Sequence, residues 1–346
     1  MLKILYILGI VFFFSMLYGH PLEGKTVRNV FDQEYDAILI DLIQKAKVCI
    51  YASHFTFSTE EGVCNEILQS LIAASQKGVS VTLFLEGKKK GAREKNINAE
   101  KKFKGTGVKV VLNSSRRLAH AKIFVVDGEW VLAGSTNLSF SSMKKNHEAN
   151  ILIKSQKIAQ AMEKYIKELI ANPDREIIVE SEMENQIKAI SDKSFFSYAL
   201  DMIQNAKKEI CITTYLFDFV PSEPDSNISR LFQEIVNAHK RGVKIRIFLE
   251  QSSFSFNEHI HQKNWESAQF LNSQGIEGIR FDKAKQITHC KIILTDKNRA
   301  LVGSTNWYSH DINFGHQVNF IIEENSVIAG LVEYFDNLYG AGVVLK

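Results

Sequence analysis

Cysteine is scarce in this 346-residue chain, and the four present, Cys49, Cys64, Cys211 and Cys290, form no C-x-x-C pair and no zinc spacing. That sets aside a dithiol redox motif and a zinc-built module, and no structural metal is expected. Three of the four lie in apolar, strand-like runs and read as buried free thiols rather than disulfide partners. An excess of charge of one sign is missing too. With 42 Lys and Arg against 39 Asp and Glu, the formal net charge is +3, which argues against a dedicated electrostatic nucleic-acid binder but leaves room for a local basic patch. A run long enough to cross a bilayer is also absent. The apolar stretch Ile4–Tyr18 falls short of the ~20 residues a spanning helix needs. Placed after Lys3 and before Gly19-His20-Pro21, residues 1–19 read as an export signal peptide or, alternatively, an N-terminal anchor. Either way the body of the protein is expected outside the cytosol, secreted or periplasmic.

What remains is a chain with 45% hydrophobic and 23% charged residues, long enough for two domains that each bury a core. Two stretches repeat at identical spacing. His120-Ala-Lys122, Asp127 and Gly134-Ser135-Thr136-Asn137 return as His289-Cys-Lys291, Asp296 and Gly303-Ser304-Thr305-Asn306. The flanks repeat as well. Asp41–Lys47 matches Asp201–Lys207, Lys77–Glu86 matches Arg241–Glu250, His147-Glu148-Ala-Asn150 matches His316-Gln317-Val-Asn319, and Tyr165 matches Tyr334. Within each copy, β-branched runs alternate with helical periodicity, which predicts an α/β unit with a mainly parallel sheet flanked by helices. The whole is a tandem duplication, with one half at 24–183 and the other at 184–346.

Residues two apart on a strand share a face, so His120 and Lys122 are expected to project together. Asp127-Gly128 is expected to turn the chain, and Gly134–Asn137 to end the returning strand near the same rim. An imidazole, an ammonium, a hydroxyl and a carboxamide gathered in this way suit a phosphodiester. Cations and hydrogen-bond donors neutralise the non-bridging oxygens, while a histidine attacks phosphorus or moves a proton. Displacement at phosphorus needs a nucleophile on one side and an acid on the other. Two copies related by a pseudo-twofold supply both, so the site is expected between the halves and complete within a monomer.

These residues resemble the paired H-x-K-x₄-D-x₆-G-S-x-N motifs of the phospholipase D superfamily, over nearly all of the chain after the leader. The resemblance implies a cofactor-free, metal-independent, two-step reaction through a phosphohistidine. It further implies His120 as nucleophile, His289 as acid and base, Lys122, Lys291, Asn137 and Asn306 as phosphate ligands, and Ser135 and Ser304 in support. Glu148 stands where family members place a carboxylate that orients the histidine, and is expected behind His120. Gln317 takes that place behind His289, without a charge. Asp127, Asp296, Gly134 and Gly303 are expected to be structural, as are His147 and His316, and His259-Ile-His261 reads as a solvent-facing loop.

The leader and the aromatic edge residues Phe55, Phe57, Phe254, Phe256, Trp307 and Tyr308 favour a phospholipase D-type hydrolase acting on phospholipid head groups at a membrane surface. The basic residues Lys88–Lys90, Arg93, Lys95, Arg116 and Arg117 keep open the alternative of a nuclease of the same superfamily. A cardiolipin synthase-like phosphatidyltransferase is the third reading.

Overall fold

The computed structural model describes residues 26–60, 62–251, 258–283 and 286–344. The leader, Phe254 and Phe256 lie outside the described residues. The first half carries β1 (Val27–Phe31), β2 (Cys49–His54), β3 (Ser80–Glu86), β4 (Lys109–Asn113), β5 (Ile123–Val126), β6 (Trp130–Gly134) and β7 (Ala149–Lys154). The second carries β8 (Ile187–Ser191), β9 (Glu209–Thr214), β10 (Lys244–Leu249), β11 (Ile279–Phe281), β12 (Ile292–Thr295), β13 (Arg299–Gly303), β14 (Val318–Ile322) and β15 (Val343–Val344). The sheets run β1-β7-β6-β5-β2-β3-β4 and β15-β11-β10-β9-β12-β13-β14-β8, so the same strand order is used twice.

Both sheets are mixed, and their parallel part is narrower than the sequence predicts. Only β2–β3 and β3–β4 pair in parallel in the first half, while β5, β6, β7 and β1 add antiparallel pairs. The reason lies in the connections. Helices Gly62–Gln76 and Ala92–Phe103 make crossovers between parallel strands, whereas the three-residue turn Asp127–Glu129 can join only antiparallel ones. Asp127 and Gly128 have positive φ, 55° and 61°, which lets the chain reverse within so short a connection.

The sheets face each other across a shared core. Ile123, Val125 and Ile151 of the first half meet Ile292, Leu294 and Phe320 of the second there, together with residues of helices Gln156–Ala171 and Asn325–Ala341. Helices Tyr35–Lys45 and Gly62–Gln76 cover the outer face of the first sheet, and Ser194–Asn205 and Asn227–Lys240 that of the second. Alternate positions of each inner strand are apolar on both faces, as burial between two layers demands. All four cysteines are free thiols, Cys49 being half-buried and the other three buried. His259 and His261 lie on helix Glu258–Ser273, not in a loop.

Polar residues tie the halves together in a crossed pattern. Asp32 sits at φ 48° and accepts the Glu148 N–H at 2.8 Å and the Tyr334 hydroxyl at 2.7 Å. Its counterpart Asp192 accepts the Tyr165 hydroxyl at 2.8 Å and lies 3.0 Å from His316 Nδ1. Each tyrosine thus reaches from the helix of one half to an aspartate of the other. His316 is fully buried, with its second nitrogen against Pro173 O at 2.8 Å, whereas His147 Nδ1 lies 3.5 Å from both Asp32 and Gln286 Nε2.

Asp127 and Asp296 anchor the hairpins from below. Asp127 accepts the N–H groups of Lys47, Val48 and Cys49 at 2.8–3.0 Å, and Asp296 those of Lys207, Lys208 and Glu209 at 2.7–3.0 Å. Asp127→Ala leaves three donors without their carboxylate and is expected to lower unfolding free energy by about 2 kcal/mol, read as a lower urea midpoint at an unchanged slope. It should leave catalysis in the folded fraction near wild type.

Candidate active site

His120 and Lys122 do not sit within a strand, as expected, but in the extended segment just before β5. That segment leaves its own sheet to pair with the other half. His120 N donates to His316 O at 3.0 Å and His316 N to Leu118 O at 2.8 Å. The mirror arrangement joins His147 N to Ile287 O and His289 N to His147 O, both at 2.8 Å. The approach to each histidine is fixed by a buried glutamate at the end of a parallel strand. Glu86 accepts the Ala119 N–H at 2.8 Å, and Glu250 accepts that of Thr288.

The same crossing governs the side chains, and it overturns the expected partners. Glu148 does not lie behind His120. Its carboxylate reaches across the interface to Nδ1 of His289, with oxygens at 2.9 and 3.1 Å, while Gln317 Oε1 lies 3.1 Å from Nδ1 of His120. The physical reason is that His147–Ala149 runs alongside the second motif's segment, not its own, so Glu148 extends over the neighbouring half. Each histidine faces an acceptor at Nδ1, which fixes the proton there and leaves the Nε2 lone pair for chemistry.

The serines act as struts. Ser135 Oγ donates to Glu148 at 2.5 Å and accepts the Ala149 N–H at 3.0 Å, and Ser304 Oγ donates to Gln317 at 2.7 Å and accepts the Val318 N–H at 3.1 Å. Their protons are committed, and both are fully buried. Gly134 and Gly303 must stay bare, since a Cβ at either would come within 2.3 Å of the following strand. Asn137 and Asn306 each keep a buried amide oxygen without a protein partner, and Asn306 Nδ2 donates to Asp311 at 2.8 Å.

The two lysines donate to the carbonyls of His120 and His289 and stand over the rings of Phe55 and Tyr215, each at 5.5 Å. The same rings meet the imidazoles edge-on at 5.2 and 5.0 Å. Burial pushes Lys291 down to about 8, against the opposing pull of Glu148, and burial together with Lys291 holds Lys122 well below its ordinary value. Burial also lowers both histidines. His120 is held well down by desolvation and then by Lys122 and Lys291, while Glu148 partly offsets the loss at His289, which settles at about 4. Two buried lysines flank two neutral imidazoles, with Glu148 and Asp311 offsetting the lysines' charge from the interface side, and an anionic phosphate would strengthen the lysines' charged form.

Sequence reasoning missed Asp311, Asn146, Glu86 and Glu250. The signal for Asp311 and Asn146 was available in the comparison of the two copies, because each falls where the other half has a different residue, Ser142 and Gly315 respectively. The basic residues Lys89, Lys90 and Arg93 are exposed. Phe57 and Trp307 belong to the core, and of the expected edge aromatics Phe55 touches the site.

Two similar α/β halves that each bring a histidine and a lysine to their interface define the class, a duplicated fold with paired histidines. The family described as cardiolipin synthase, PLD-like domain matches residues 39–170 and again 199–339, and the chain belongs to it, within the phospholipase D superfamily. Among curated relatives, cardiolipin synthase A of Buchnera aphidicola is 25% identical over 301 residues, 76% of this chain and 59% of that protein. Phospholipase D of Rickettsia prowazekii is 27% identical over 123 residues, 36% of this chain and 56% of the relative. Cardiolipin synthase B of Salmonella typhi is 31% identical over 117 residues, 32% and 27%. The matched stretches thus span between about a quarter and three fifths of these relatives' lengths. Phosphatidylserine synthase of Haemophilus influenzae shares the fold, with a TM-score of 0.73 at 14% identity over 93% of this chain and 88% of that one. Polyphosphate kinase of Porphyromonas gingivalis shares it at 0.65 and 12% identity, covering 93% and 52%.

Proposed function

We propose that this enzyme transfers a phosphatidyl group from a phospholipid to an alcohol acceptor, with water as a competing acceptor that yields simple head-group hydrolysis. The relatives named for cardiolipin synthesis support this ordering over hydrolysis as the main activity, and the fold shared with a phosphatidylserine synthase is consistent with it. The observation that carries the reaction type is the crossed pair of imidazoles, each with Nδ1 held and Nε2 free, beside two buried lysines. In the first step Nε2 of one histidine attacks phosphorus, the bond to the leaving oxygen breaks, and the other histidine, which takes up a proton at Nε2 once the anionic phosphate is bound, gives that proton to the leaving oxygen. In the second step the incoming hydroxyl returns a proton to the second histidine, its oxygen bonds to phosphorus, and the phosphorus–nitrogen bond breaks. Lys122, Lys291 and the amides of Asn137 and Asn306 carry the phosphate. The site is dry, with His120 and His289 only 6% and 8% exposed and flanked by Phe55 and Tyr215, which favours an acceptor bound in place over bulk water.

Crossed pairing also changes the roles we assign. The phosphorylated ring becomes a lasting cation and needs an anion beside it, whereas an acid must release its proton readily. Glu148 therefore marks His289 as nucleophile and Gln317 marks His120 as acid and base.

Phosphatidylglycerol vesicles incubated with the full chain and chelator are expected to yield a diphosphatidyl product and free glycerol, with phosphatidic acid as the minor product. Phosphatidic acid alone would make the enzyme a hydrolase. Cleavage of single-stranded DNA with no change in lipid would favour the nuclease reading, and loss of activity in chelator would overturn the metal-free scheme.

A further inference from the structure

The second half carries three linked departures from the first, all around one histidine. Where the first half has Ser142, Asn146 and Glu148, the second has Asp311, Gly315 and Gln317. In the first half Asn146 Nδ2 donates to Glu148 at 3.2 Å, which supports a charged carboxylate. In the second half that donor is gone, and a Cβ at Gly315 would lie 2.6 Å from Gln317 Nε2, so the position has been cleared for an amide. The carboxylate has not been lost, however. Asp311, on helix Ser309–Phe314, is 1% exposed, and its Oδ2 lies 3.5 Å from His120 Nδ1.

We propose that Asp311 is the charge partner of His120, a positioning residue that supplies from the helix the negative charge Gln317 cannot. The inference rests on the proposed role of His120 as acid and base. Its geometry is offset rather than direct. Gln317 occupies the Nδ1 hydrogen-bonding position at 3.1 Å, and Asp311 Oδ2 is held back by the Asn306 N–H at 3.2 Å and Nδ2 at 2.8 Å. Its other oxygen, Oδ1, is buried with no hydrogen-bond partner among the described residues. A carboxylate at this distance stabilises an imidazolium without gripping its proton, which is what an acid that must protonate a leaving oxygen requires. The other charged groups facing His120 are Lys122, Lys291 and His289, all of which disfavour a second positive charge. Those facing Asp311 are Lys122 and His310, with the Tyr308 hydroxyl alongside. Among the described residues Asp311 is the carboxylate that approaches the His120 ring, and its link through Asn306 also aims the amide expected to meet phosphate.

The full chain labelled with ¹⁵N-histidine, with His120 assigned by its loss in His120→Asn, separates this inference from the function on which it rests, because ring titration needs no turnover. In Asp311→Asn the His120 midpoint is expected to fall by about one pH unit, the shift an opposite charge at this range produces. Adding Gln317→Glu should restore it or raise it beyond wild type. Asp311→Ser, which copies the first half, should behave like Asp311→Asn. An unmoved His120 midpoint in both single variants overturns the inference, as does a His120 ring that stays neutral throughout in the wild type. If both variants fail to fold, Asp311 is structural and the inference falls. Failure of the vesicle assay with these shifts intact would instead count against the proposed function.

Discussion

Quenching the reaction with a phosphorus-labelled phospholipid in denaturant at neutral to alkaline pH, where a phosphorus–nitrogen bond survives, is expected to leave label on His289 and none on His120. The expectation follows from where negative charge is fixed. Covalent attack through Nε2 gives a phosphorylated ring bearing a positive charge that must persist until the acceptor arrives. Glu148 contacts the opposite nitrogen of His289 at 2.9 Å, in a pocket where both lysines already oppose any added positive charge. His120 has an amide in that place. Replacing either histidine by alanine should lower turnover by about 10⁴-fold or more, since residues acting as one unit lose nearly everything together. The variants should differ in what they trap. His120→Ala should still accumulate label on His289 with a substrate whose leaving group needs no proton, and His289→Ala should accumulate none. Label on His120 in the wild type would reverse the roles.

How much of this was legible in the sequence depends on whether a feature is local. The repeated motif, the hairpin turn at Asp127-Gly128, the doubled strand order and the assembly of a site from two histidines all follow from spacing and periodicity within each copy. The crossing did not. Glu148 lies twenty-eight residues after His120 along the chain, and sequence proximity naturally assigned one to the other. In space, the segment His147–Ala149 runs beside Thr288–Cys290 of the other half. No pattern within one copy encodes a contact between copies. The same limit placed His120 in a strand although its segment pairs outside its own sheet. Ser135 and Ser304 are a different case, since they donate to Glu148 and Gln317 within their own copies. Asp311 was within reach of the sequence. It needed the two copies to be read for their differences as closely as for their identities.

Glu148→Gln is the substitution that tests the crossing most directly, because it changes one oxygen for one nitrogen in the first half and should be felt by the histidine of the second. It makes the two halves alike, with an amide at each Nδ1. Turnover is expected to fall about 10²- to 10⁴-fold, the range seen when the carboxylate behind a catalytic imidazole is neutralised. The pH dependence should move in a definite sense. Burial lowers His289 from its ordinary value to about 4, and Glu148 is the main group opposing that fall. Removing the charge lowers the value further, so the neutral, attacking form persists to lower pH. The acid limb of the rate profile should therefore shift to lower pH even as its plateau drops, the opposite of what loss of a general acid would give. Gln317→Glu added to Glu148→Gln moves the carboxylate to His120 and should carry the acid-labile label with it. A Glu148→Gln enzyme within twofold of wild type, or label that stays on His289 after the exchange, would show that the carboxylate does not choose the nucleophile. The choice would then have to lie in how Lys122 and Lys291 seat the phosphate.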